Sequence, residues 1–329
     1  MRAPQPHPAP LQAEGSEHAA LLASALPANP RPTFRTNTQM ARARTWGLAL
    51  RLVQWSKNAV LLAGVVFAHR LGDVASLSIA LVAVIAFSLV SSGIYLVNDV
   101  HDAPYDRHHP TKRLRPVARG AISPRAALSV SVLLLVVGCT IAALIRPAFL
   151  LVVVAYIALM LAYSVVLKSV VLVDVFVIAA GFVLRALAGS VAVDVPISAW
   201  LLLCTMLLAL FLGFCKRRHE LNILGAEAAQ HRTPLGIYSN RLLDQLIAAT
   251  AGATIVAYSI YTFDARWVPA NNTMMLTIPF VVFALFRYLL LVYRRGQGGN
   301  PEWLLFRDRP LLAAIVGWAL SSLSVLYLV

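Results

Sequence analysis

Three aspartates lie close together in the stretch NDVHDAPYDRHHPTKRLRP, residues 98–116, which separates two long apolar runs. Asp99, Asp102 and Asp106 are spaced i, i+3 and i+7, and side chains at this spacing lie on one face of a helix. Carboxylates on one face repel one another and are costly at a membrane boundary, so a divalent cation would relieve the repulsion. Ligands that are all oxygen favour Mg²⁺ over zinc. The stretch therefore predicts a Mg²⁺ site.

Basic residues follow the aspartates directly, and they include Lys112, Arg113 and Arg115. In proteins Mg²⁺ usually binds one or two carboxylates together with substrate phosphates, so carboxylates beside Lys and Arg favour a Mg²⁺–diphosphate site. The alternative is a solvated loop whose charges set the membrane topology. That alternative does not explain the aspartates, because acidic residues contribute little to topology. Metal binding by the neighbouring histidines is a weaker alternative, since oxygen ligands surround them. These histidines are His101, His108 and His109.

Two ionisable residues lie within the apolar run YSVVLKSVVLVDVFVIAAGFVLRA, residues 163–186. Charged side chains inside a membrane span are costly and usually functional. Asp174 lies near the start of a predicted helix, where it would supply a second Mg²⁺ ligand, while Tyr163 and Lys168 would hold phosphate oxygens. Arg185 follows Asp174 at a distance of about 16 Å along a helix, so we expect different partners for the two residues and not a structural ion pair.

The stretch KRRHE, residues 216–220, ends another apolar run and carries Lys216, Arg217 and Arg218. A cluster that stops membrane insertion is the simple interpretation of these cations. A cation cluster at the mouth of a cavity also suits phosphate capture. Glu220 lies among the cations and is not explained by insertion, so this stretch is a candidate for substrate binding.

Trp55 and Lys57 belong to the stretch WSKN, early in the first apolar run. A Trp–Lys pair at this place is typical of an anchor at the membrane interface. The functional interpretation is that Lys57 binds a phosphate carried by a lipid. The sequence leaves both interpretations open.

The composition is that of a membrane protein. Of the 329 residues, 59% are hydrophobic and 13% are charged, whereas about 25% of the residues of soluble domains are charged. Apolar runs of about 20 residues, the length that crosses a bilayer, recur along the chain. The net charge of +14 comes from Lys and Arg that cluster at the ends of these runs. This pattern indicates membrane topology and phosphate binding, and it argues against nucleic acid as a partner.

We predict a disordered tail over residues 1–40, which are rich in Pro and Ala, and an all-α integral membrane domain over residues 41–329. Lys and Arg lie mainly on one side of the predicted spans, which places the N-terminus and the charged loops in the cytoplasm and the protein in the cytoplasmic membrane. Ala-rich helices would pack closely enough for a homo-oligomer. The nine predicted spans are 46–69, 76–98, 125–145, 148–167, 170–193, 197–215, 243–263, 273–293 and 309–328.

The chain resembles the UbiA superfamily of intramembrane prenyltransferases from about residue 45 to the C-terminus. The resemblance rests on QWSKN (54–58), the 98–116 stretch, YSVVLK (163–168), Asp174, GFVLRALAG (181–189), KRRHEL (216–221), YS (238–239) and DRPLL (308–312). Two of these motifs, YSVVLK and KRRHEL, resemble the branch of the superfamily that transfers phosphoribosyl groups to polyprenyl phosphates. That branch has Pro before its Gln–Trp pair, whereas Val53 precedes Gln54 here.

The resemblance implies a nine-helix UbiA-type bundle with an active-site cavity on the cytoplasmic side. It implies phosphoribosyl pyrophosphate as the donor, held through Mg²⁺, and a polyprenyl (decaprenyl) phosphate as the acceptor, in the synthesis of sugar precursors for cell-wall arabinan. The implied catalytic and metal-binding residues are Asp99, Asp102, Asp106 and Asp174. The implied substrate-binding residues are Lys57, Asn98, Lys112, Arg113, Arg115, Tyr163, Lys168, Arg185, Lys216, Arg217, Arg218 and Glu220.

Three other functions stay open. A UbiA-type prenyltransferase would move a polyprenyl chain from its diphosphate to an aromatic acceptor. A long apolar tunnel at the Mg²⁺ site would favour it, whereas a cationic, hydrophilic pocket favours the ribose donor. A transporter would use Asp174 and Arg185 as coupling residues, but the sequence has no inverted repeat and its charges gather on one side. A structural membrane subunit leaves the aligned aspartates unexplained.

Overall fold

A computed structural model describes residues 38–108, 111–224, 233–265, 268–269, 271–296, 298–299 and 301–328. The chain divides into two units, Met1–Arg44 and Thr45–Val329. Residues 1–37, which make up most of the predicted tail, lie outside the described residues, and so does His109. The prediction of a disordered tail therefore stays a prediction.

Every regular element in the described ranges is a helix, so the predicted all-α class is confirmed. The α-helices are α1 (Thr38–Ala49), α2 (Ala63–Phe67), α3 (Val74–Asp106), α4 (Pro124–Ile145), α5 (Pro147–Val165), α6 (Val173–Ala192), α7 (Ala199–Leu224), α8 (Asn240–Asp264), α9 (Ile278–Arg295), α10 (Pro301–Arg307) and α11 (Arg309–Leu328). The 3₁₀-helices are Leu52–Leu62, Lys112–Leu114, Leu167–Ser169, Thr233–Gly236 and Thr273–Thr277.

The part of the chain that the structure describes contains 8 helices that are long and apolar enough to cross a membrane. These helices correspond to the second to ninth predicted spans. The chain is therefore an integral membrane protein. The first predicted span differs, because α1 ends at Ala49 and the backbone of Arg51 has a φ of 54°. The 3₁₀-helix Leu52–Leu62 and α2 follow, and together they extend roughly 30 Å. The prediction of nine continuous helices is not confirmed.

Helix α3 continues beyond the predicted end of its span at residue 98 and reaches Asp106. Pro104 lies inside its last turn without ending the helix. Because the helix continues, Asp99, Asp102 and Asp106 all lie on regular α-helix, as their spacing predicts. The polar end of α3 therefore presents three carboxylates from one rigid element.

The two largest of four apolar cores in the unit Thr45–Val329 both include residues of α6. One core joins α3, α4, α5 and α6 to Leu61 of the first 3₁₀-helix, around Phe87 and Phe149. The other joins α6 to α7, α8, α9, α10 and α11, around Phe211 and Leu243. Since α6 also carries Asp174, packing on both sides fixes the position of this residue.

Gly64 and Gly189 allow a very close approach between the first membrane segment and α6. A Cβ atom on Gly64 would lie 2.8 Å from the backbone nitrogen of Ser190, and a Cβ atom on Gly189 would overlap the carbonyl oxygen of Leu61. Backbone atoms cannot turn aside as the end of a long side chain can, so glycine is required at this contact. The contact holds the 3₁₀-helix Leu52–Leu62 against α6.

We expect Gly189→Ala to lower the melting temperature in detergent by roughly 3–10 °C, because an added methyl group forces backbone shifts in a packed interior. Gly252→Ala on α8 is the matched control, since its Cβ atom would meet nothing within 4 Å. Ala also has the higher helix propensity, so the control should melt at the same temperature or higher. Equal melting temperatures for the two variants would contradict the close approach.

Candidate active site

The charged residues predicted from the sequence gather at one end of the bundle, which we call the charged end. It is defined by two ion pairs: Asp102 of α3 with Lys168, which lies between α5 and α6, and Asp174 of α6 with Arg217 of α7. Tyr238, just before α8, also contacts Asp174 there. The charged end therefore combines residues from three of the membrane-spanning helices, α3, α6 and α7, and from two of the turns between helices.

Asp99 and Asp106 are buried and share one cation. The Nη1 atom of Arg115 lies 3.2 Å from Oδ1 of Asp99 and 2.7 Å from Oδ2 of Asp106. The Nη2 atom of Arg51 donates to the same Asp99 oxygen at 2.5 Å. The Asp99 side chain is only 2% exposed, and a buried carboxylate needs such partners. Arg115, predicted to bind substrate, thus lies at the α3 aspartates and pairs with two of them.

Arg51 reaches Asp99 because the chain before the first 3₁₀-helix is docked on α3. The hydroxyl of Ser92 accepts a hydrogen bond from Trp55 Nε1 at 3.0 Å and donates one to the carbonyl oxygen of Leu50 at 2.8 Å. The Arg51 guanidinium carbon also lies 4.6 Å from the ring centroid of Tyr95. Trp55, a predicted interfacial anchor, therefore also helps to position Arg51 for its contact with Asp99.

The hairpin between α5 and α6 supplies the partner of the middle aspartate. Nζ of Lys168 lies 2.6 Å from Oδ1 of Asp102, and both side chains are about one-third exposed. Ser164, one turn earlier in α5, donates to Oδ1 of Asn98. The hairpin thus places Lys168 at the charged end, as predicted, although its contact is with a carboxylate.

Asp174 is the most deeply buried of the predicted aspartates, with no exposed side-chain area. Its Oδ2 atom accepts from Nε of Arg217 at 2.7 Å, and its Oδ1 atom accepts from the hydroxyl of Tyr238 at 3.1 Å. Nη1 of Arg217 donates to Oε2 of Glu220 at 2.5 Å. The order Tyr238–Asp174–Arg217–Glu220 is a continuous chain of hydrogen bonds, which we call the α6–α7 relay.

The relay begins at a strained turn. Leu172 has a φ of 66° and a ψ of −46°, and the N–H of Val173 bonds to the carbonyl oxygen of Val171 at 2.8 Å, which makes a γ-turn. Tyr238 accepts a hydrogen bond from the N–H of Leu172 at 2.8 Å and donates to Asp174. Burial, followed by the charge of Asp174, raises the pKa of Tyr238 to about 12. The phenol therefore stays protonated and donates at neutral pH.

Arg218 points to a different cluster from its neighbour Arg217. Its Nε atom donates to Oδ1 of Asp244 at 2.5 Å, and Tyr293 donates to the same oxygen at 2.8 Å. The guanidinium carbon lies 4.2 Å from the ring centroid of Tyr293. These contacts join α7, α8 and α9, so the structure gives Arg218 a role in packing, and its predicted role in substrate binding stays a prediction.

Arg185 lies deep in the bundle and is 5% exposed. It donates from Nε to Oδ1 of Asn58 at 2.8 Å, from Nη1 to the carbonyl oxygen of Gly181 at 2.9 Å, and from Nη2 to the hydroxyl of Tyr156 at 2.6 Å. Its guanidinium also lies over the ring of Tyr156, at 4.7 Å from the centroid. The predicted separation from Asp174 is confirmed, because each residue has its own partners. Substrate binding by Arg185 stays a prediction.

The other predicted substrate-binding residues lie around the charged end with different degrees of exposure. Lys112, Arg113 and Lys216 are exposed, whereas Lys57 and Tyr163 are half-buried. The predicted roles of these five side chains in substrate binding stay predictions.

Asp99 and Asp106 lie close enough together to share one cation. The Nη1 atom of Arg115 bridges them, and two carboxylate ligands plus substrate phosphates are what Mg²⁺ typically uses. Asp174 is more enclosed, since both of its oxygens accept hydrogen bonds within the buried relay, and its predicted role as a metal ligand stays a prediction. Within the described ranges, no three His, Cys, Asp or Glu side chains form a metal cluster.

An apolar cavity of 380 Å³ lies between α7, α8, α9 and α11. Phe211, Tyr258, Phe280 and Trp318 are among its lining residues, and none of the four predicted aspartates is. The cavity and the charged end are therefore distinct features, one apolar and the other built from ion pairs.

Two residues of the charged end were missed by the sequence analysis as site candidates. Arg51 contributed only to the predicted topology, although it contacts Asp99. Tyr238 belongs to the motif YS, but no role was assigned to it, although it bonds to Asp174. Arg51 could have been recognised from its position just before the motif QWSKN. Tyr238 could have been recognised because it belongs to the motif YS.

Comparison with known proteins gives consistent results along most of the chain. The family model described as the UbiA prenyltransferase family matches residues 59–307. The chain is 35% identical over 274 residues to a decaprenyl-phosphate phosphoribosyltransferase of Mycobacterium tuberculosis, covering 82% of this chain and 90% of the relative. It is 32% identical over 292 residues to the protein of the same name from Corynebacterium glutamicum, covering 85% and 86%.

The fold is similar to that of a solved UbiA homolog from Archaeoglobus fulgidus, whose structure contains GPP and Mg²⁺. The TM-score is 0.67 and the sequence identity is 19%, and the match covers 86% of this chain and 99% of the homolog. At this level of identity the likeness concerns the arrangement of the helices.

Proposed function

Because the chain belongs to the UbiA prenyltransferase family, we propose that it transfers the 5-phosphoribosyl group of phosphoribosyl pyrophosphate to a polyprenyl phosphate, decaprenyl phosphate for example, and releases diphosphate. The names of the relatives that align over most of the chain support this proposal. The observation that carries it is the charged end, where Arg51, Arg115 and Lys168 meet three carboxylates. Such a cationic and hydrophilic site suits a ribose donor better than a prenyl chain.

Mg²⁺ is the proposed cofactor, and Asp99, Asp102 and Asp106 are the residues that would hold it. When bound, the ion neutralises the diphosphate and so makes it a better leaving group. Asp174 supports the same site from α6, through its contact with Arg217. Asp99 and Asp106 already lie on either side of a single cationic nitrogen, which supports the proposal that this pair accepts a cation.

The basic side chains of the site would stabilise charge that develops on the donor. As the bond from ribose C1 to the diphosphate oxygen breaks, negative charge grows on the diphosphate and C1 becomes oxocarbenium-like. Arg115 and Lys168 lie at the α3 aspartates, where they would meet those phosphate oxygens. The acceptor phosphate oxygen is already anionic and attacks C1 directly, so the reaction needs positioning and no strong general base.

The acceptor would bind beside the donor with its polyprenyl chain among apolar side chains. Lys57, on the first 3₁₀-helix, is the proposed partner of the acceptor phosphate. The polyprenyl chain would extend from there into the surrounding lipid. We further propose that the charged end faces the cytoplasm, as the bias of Lys and Arg predicts, and that the product serves synthesis of the cell wall.

A UbiA-type prenyltransferase is the second candidate, since the family name and the GPP in the Archaeoglobus homolog both favour a prenyl donor. The two functions share a metal–diphosphate site and differ in the group that leaves it. The 380 Å³ apolar cavity is not lined by any of the four predicted aspartates, so it offers a prenyl donor no direct path to that site. This separation favours the ribose donor.

Purified protein in detergent with Mg²⁺ should convert phosphoribosyl pyrophosphate and decaprenyl phosphate into a phosphoribosyl lipid, detected by mass spectrometry. The product should disappear when EDTA is added and return with excess Mg²⁺. A parallel reaction contains a polyprenyl diphosphate and an aromatic acceptor. Product in this second reaction alone would replace the proposed function with the prenyltransferase activity.

A further inference from the structure

Asp174 differs from the α3 aspartates in what surrounds it. Both of its oxygens accept hydrogen bonds inside the protein, and its side chain has no exposed area. Arg217, its main partner, is 2% exposed. Glu220, at the far end of the α6–α7 relay, is 27% exposed. The only member of the relay with substantial exposure is therefore Glu220, and it is the one that a substrate can reach.

The relay orients Glu220 through fixed geometry. The γ-turn at Leu172 and the hydroxyl of Tyr238 hold the start of α6, so the Asp174 carboxylate has a single orientation. A guanidinium bonded to that carboxylate through Nε presents Nη1 in the same plane, and this is the nitrogen that donates to Glu220. Strain held by surrounding contacts is typical of functional sites.

The charge of Glu220 restricts what it can bind. A carboxylate repels phosphate oxygens, and the Oε2 atom of Glu220 already accepts from Arg217. Neutral hydroxyl groups are then the suitable donors, and a carboxylate is a common partner of ribose hydroxyls in nucleotide sites. Of the substrates considered, only the phosphoribosyl donor carries such hydroxyls. A polyprenyl diphosphate has none.

We propose that Asp174 is a positioning residue and not a metal ligand, and that it acts through Arg217 to hold Glu220 where its carboxylate accepts hydrogen bonds from the ribose hydroxyls of the donor. This inference rests on the proposed function. It makes Glu220 the residue that distinguishes a ribose donor from a prenyl donor. It also explains why an acidic residue lies among the cations of KRRHE.

A measurement of metal affinity tests the role of Asp174 independently of transferase activity. Mn²⁺ binding to full-length protein, followed by electron paramagnetic resonance, should weaken at least about 10-fold in Asp99→Asn. It should change less than about 3-fold in Asp174→Asn and in Glu220→Ala if neither residue is a ligand. Asp194→Asn is the control, because Asp194 follows the opposite end of α6 and pairs with Arg146. Weakening in Asp174→Asn equal to that in Asp99→Asn would overturn the positioning role.

Donor preference tests the role of Glu220. Wild-type protein should prefer phosphoribosyl pyrophosphate over its 2-deoxyribose analogue by roughly 10- to 100-fold in kcat/KM, as expected for loss of a hydrogen bond to a charged group. Glu220→Ala should remove most of this preference, and Glu220→Gln should restore part of it because the amide oxygen also accepts. An unchanged preference in Glu220→Ala would overturn the ribose contact.

Asp174→Asn leaves the buried Arg217 with a weaker partner. The double variant Asp174→Asn/Arg217→Gln, which removes both charges, is therefore tested beside it. Both variants should lose the ribose preference as Glu220→Ala does, and size-exclusion chromatography checks that they are folded. If either folded variant retains the full preference, the relay is refuted. If wild-type protein makes no phosphoribosyl lipid at all, the proposed function fails and the ribose contact fails with it, whereas the Mn²⁺ experiment still decides the role of Asp174.

Discussion

Asp99→Asn should lower kcat for phosphoribosyl transfer by about 10²- to 10³-fold, the effect typical of losing one group that stabilises transition-state charge. Asp99 is buried at the charged end, where Arg51 and Arg115 both donate to its Oδ1 atom. An amide of the same shape keeps the packing but removes the negative charge, so both the metal ion and the two guanidinium groups lose their common partner.

Asp73→Asn is the matched control for this prediction, because Asp73 lies at the opposite end of the same helix. Its Oδ1 atom accepts from the N–H of Ala75 at 3.1 Å and so caps α3. Asn caps helices about as well as Asp, so this variant should keep its activity and its fold. Initial rates at saturating Mg²⁺ provide the measurement. If Asp99→Asn keeps more than about a tenth of the wild-type kcat, the aspartate has no direct part in charge stabilisation.

Asp106→Asn should resemble Asp99→Asn, and the double variant should be little worse than either single variant. The reason is that both carboxylates bond to the same nitrogen of Arg115, and residues that act as one unit show non-additive effects. Fully multiplicative losses would indicate two independent sites on α3. The comparison therefore tests whether the two buried aspartates form one binding unit.

The helices were predictable where hydropathy alone determines them. The last predicted span, 309–328, coincides with α11, Arg309–Leu328, because a long apolar run has few alternatives to a membrane helix. The end of α3 was not predictable in this way, since its last turns are polar and contain Pro104. The first span was predicted as one helix because neither Gly nor Pro marks the turn at Arg51, whose positive φ separates α1 from the 3₁₀-helix.

The residue types of the charged end could be predicted, but their partners could not. The spacing of the α3 aspartates predicts that they lie together on one helix, and the structure has all three on α3. The pairs Arg51–Asp99 and Lys168–Asp102 join residues separated by 48 and 66 positions. Such contacts depend on how the helices pack, and neither the periodicity nor the charge pattern of a single segment specifies them. The contacts of Asp174 with Arg217 and Tyr238 could not be predicted for the same reason.

Arg115→Gln should change metal binding and donor binding in opposite directions. In the wild-type protein the Arg115 cation lies between Asp99 and Asp106, where it competes with a divalent ion for the two carboxylates. Without it the carboxylates repel each other, so Mn²⁺ measured in the absence of donor should bind more tightly, by roughly 3- to 10-fold. The donor diphosphate, however, loses a guanidinium partner, and its KM should rise roughly 10- to 100-fold.

Arg119→Gln removes the same charge from the same loop and serves as the control, because its side chain is exposed. It should leave both constants within about 2-fold, since an exposed charge is screened by solvent. Arg115→Lys should lie between the two, because an ammonium keeps the charge but cannot reproduce the planar contacts of a guanidinium. If Arg115→Gln weakens the binding of both Mn²⁺ and the donor, Arg115 does not compete with the metal. Its contacts with Asp99 and Asp106 would then only stabilise the fold of the site.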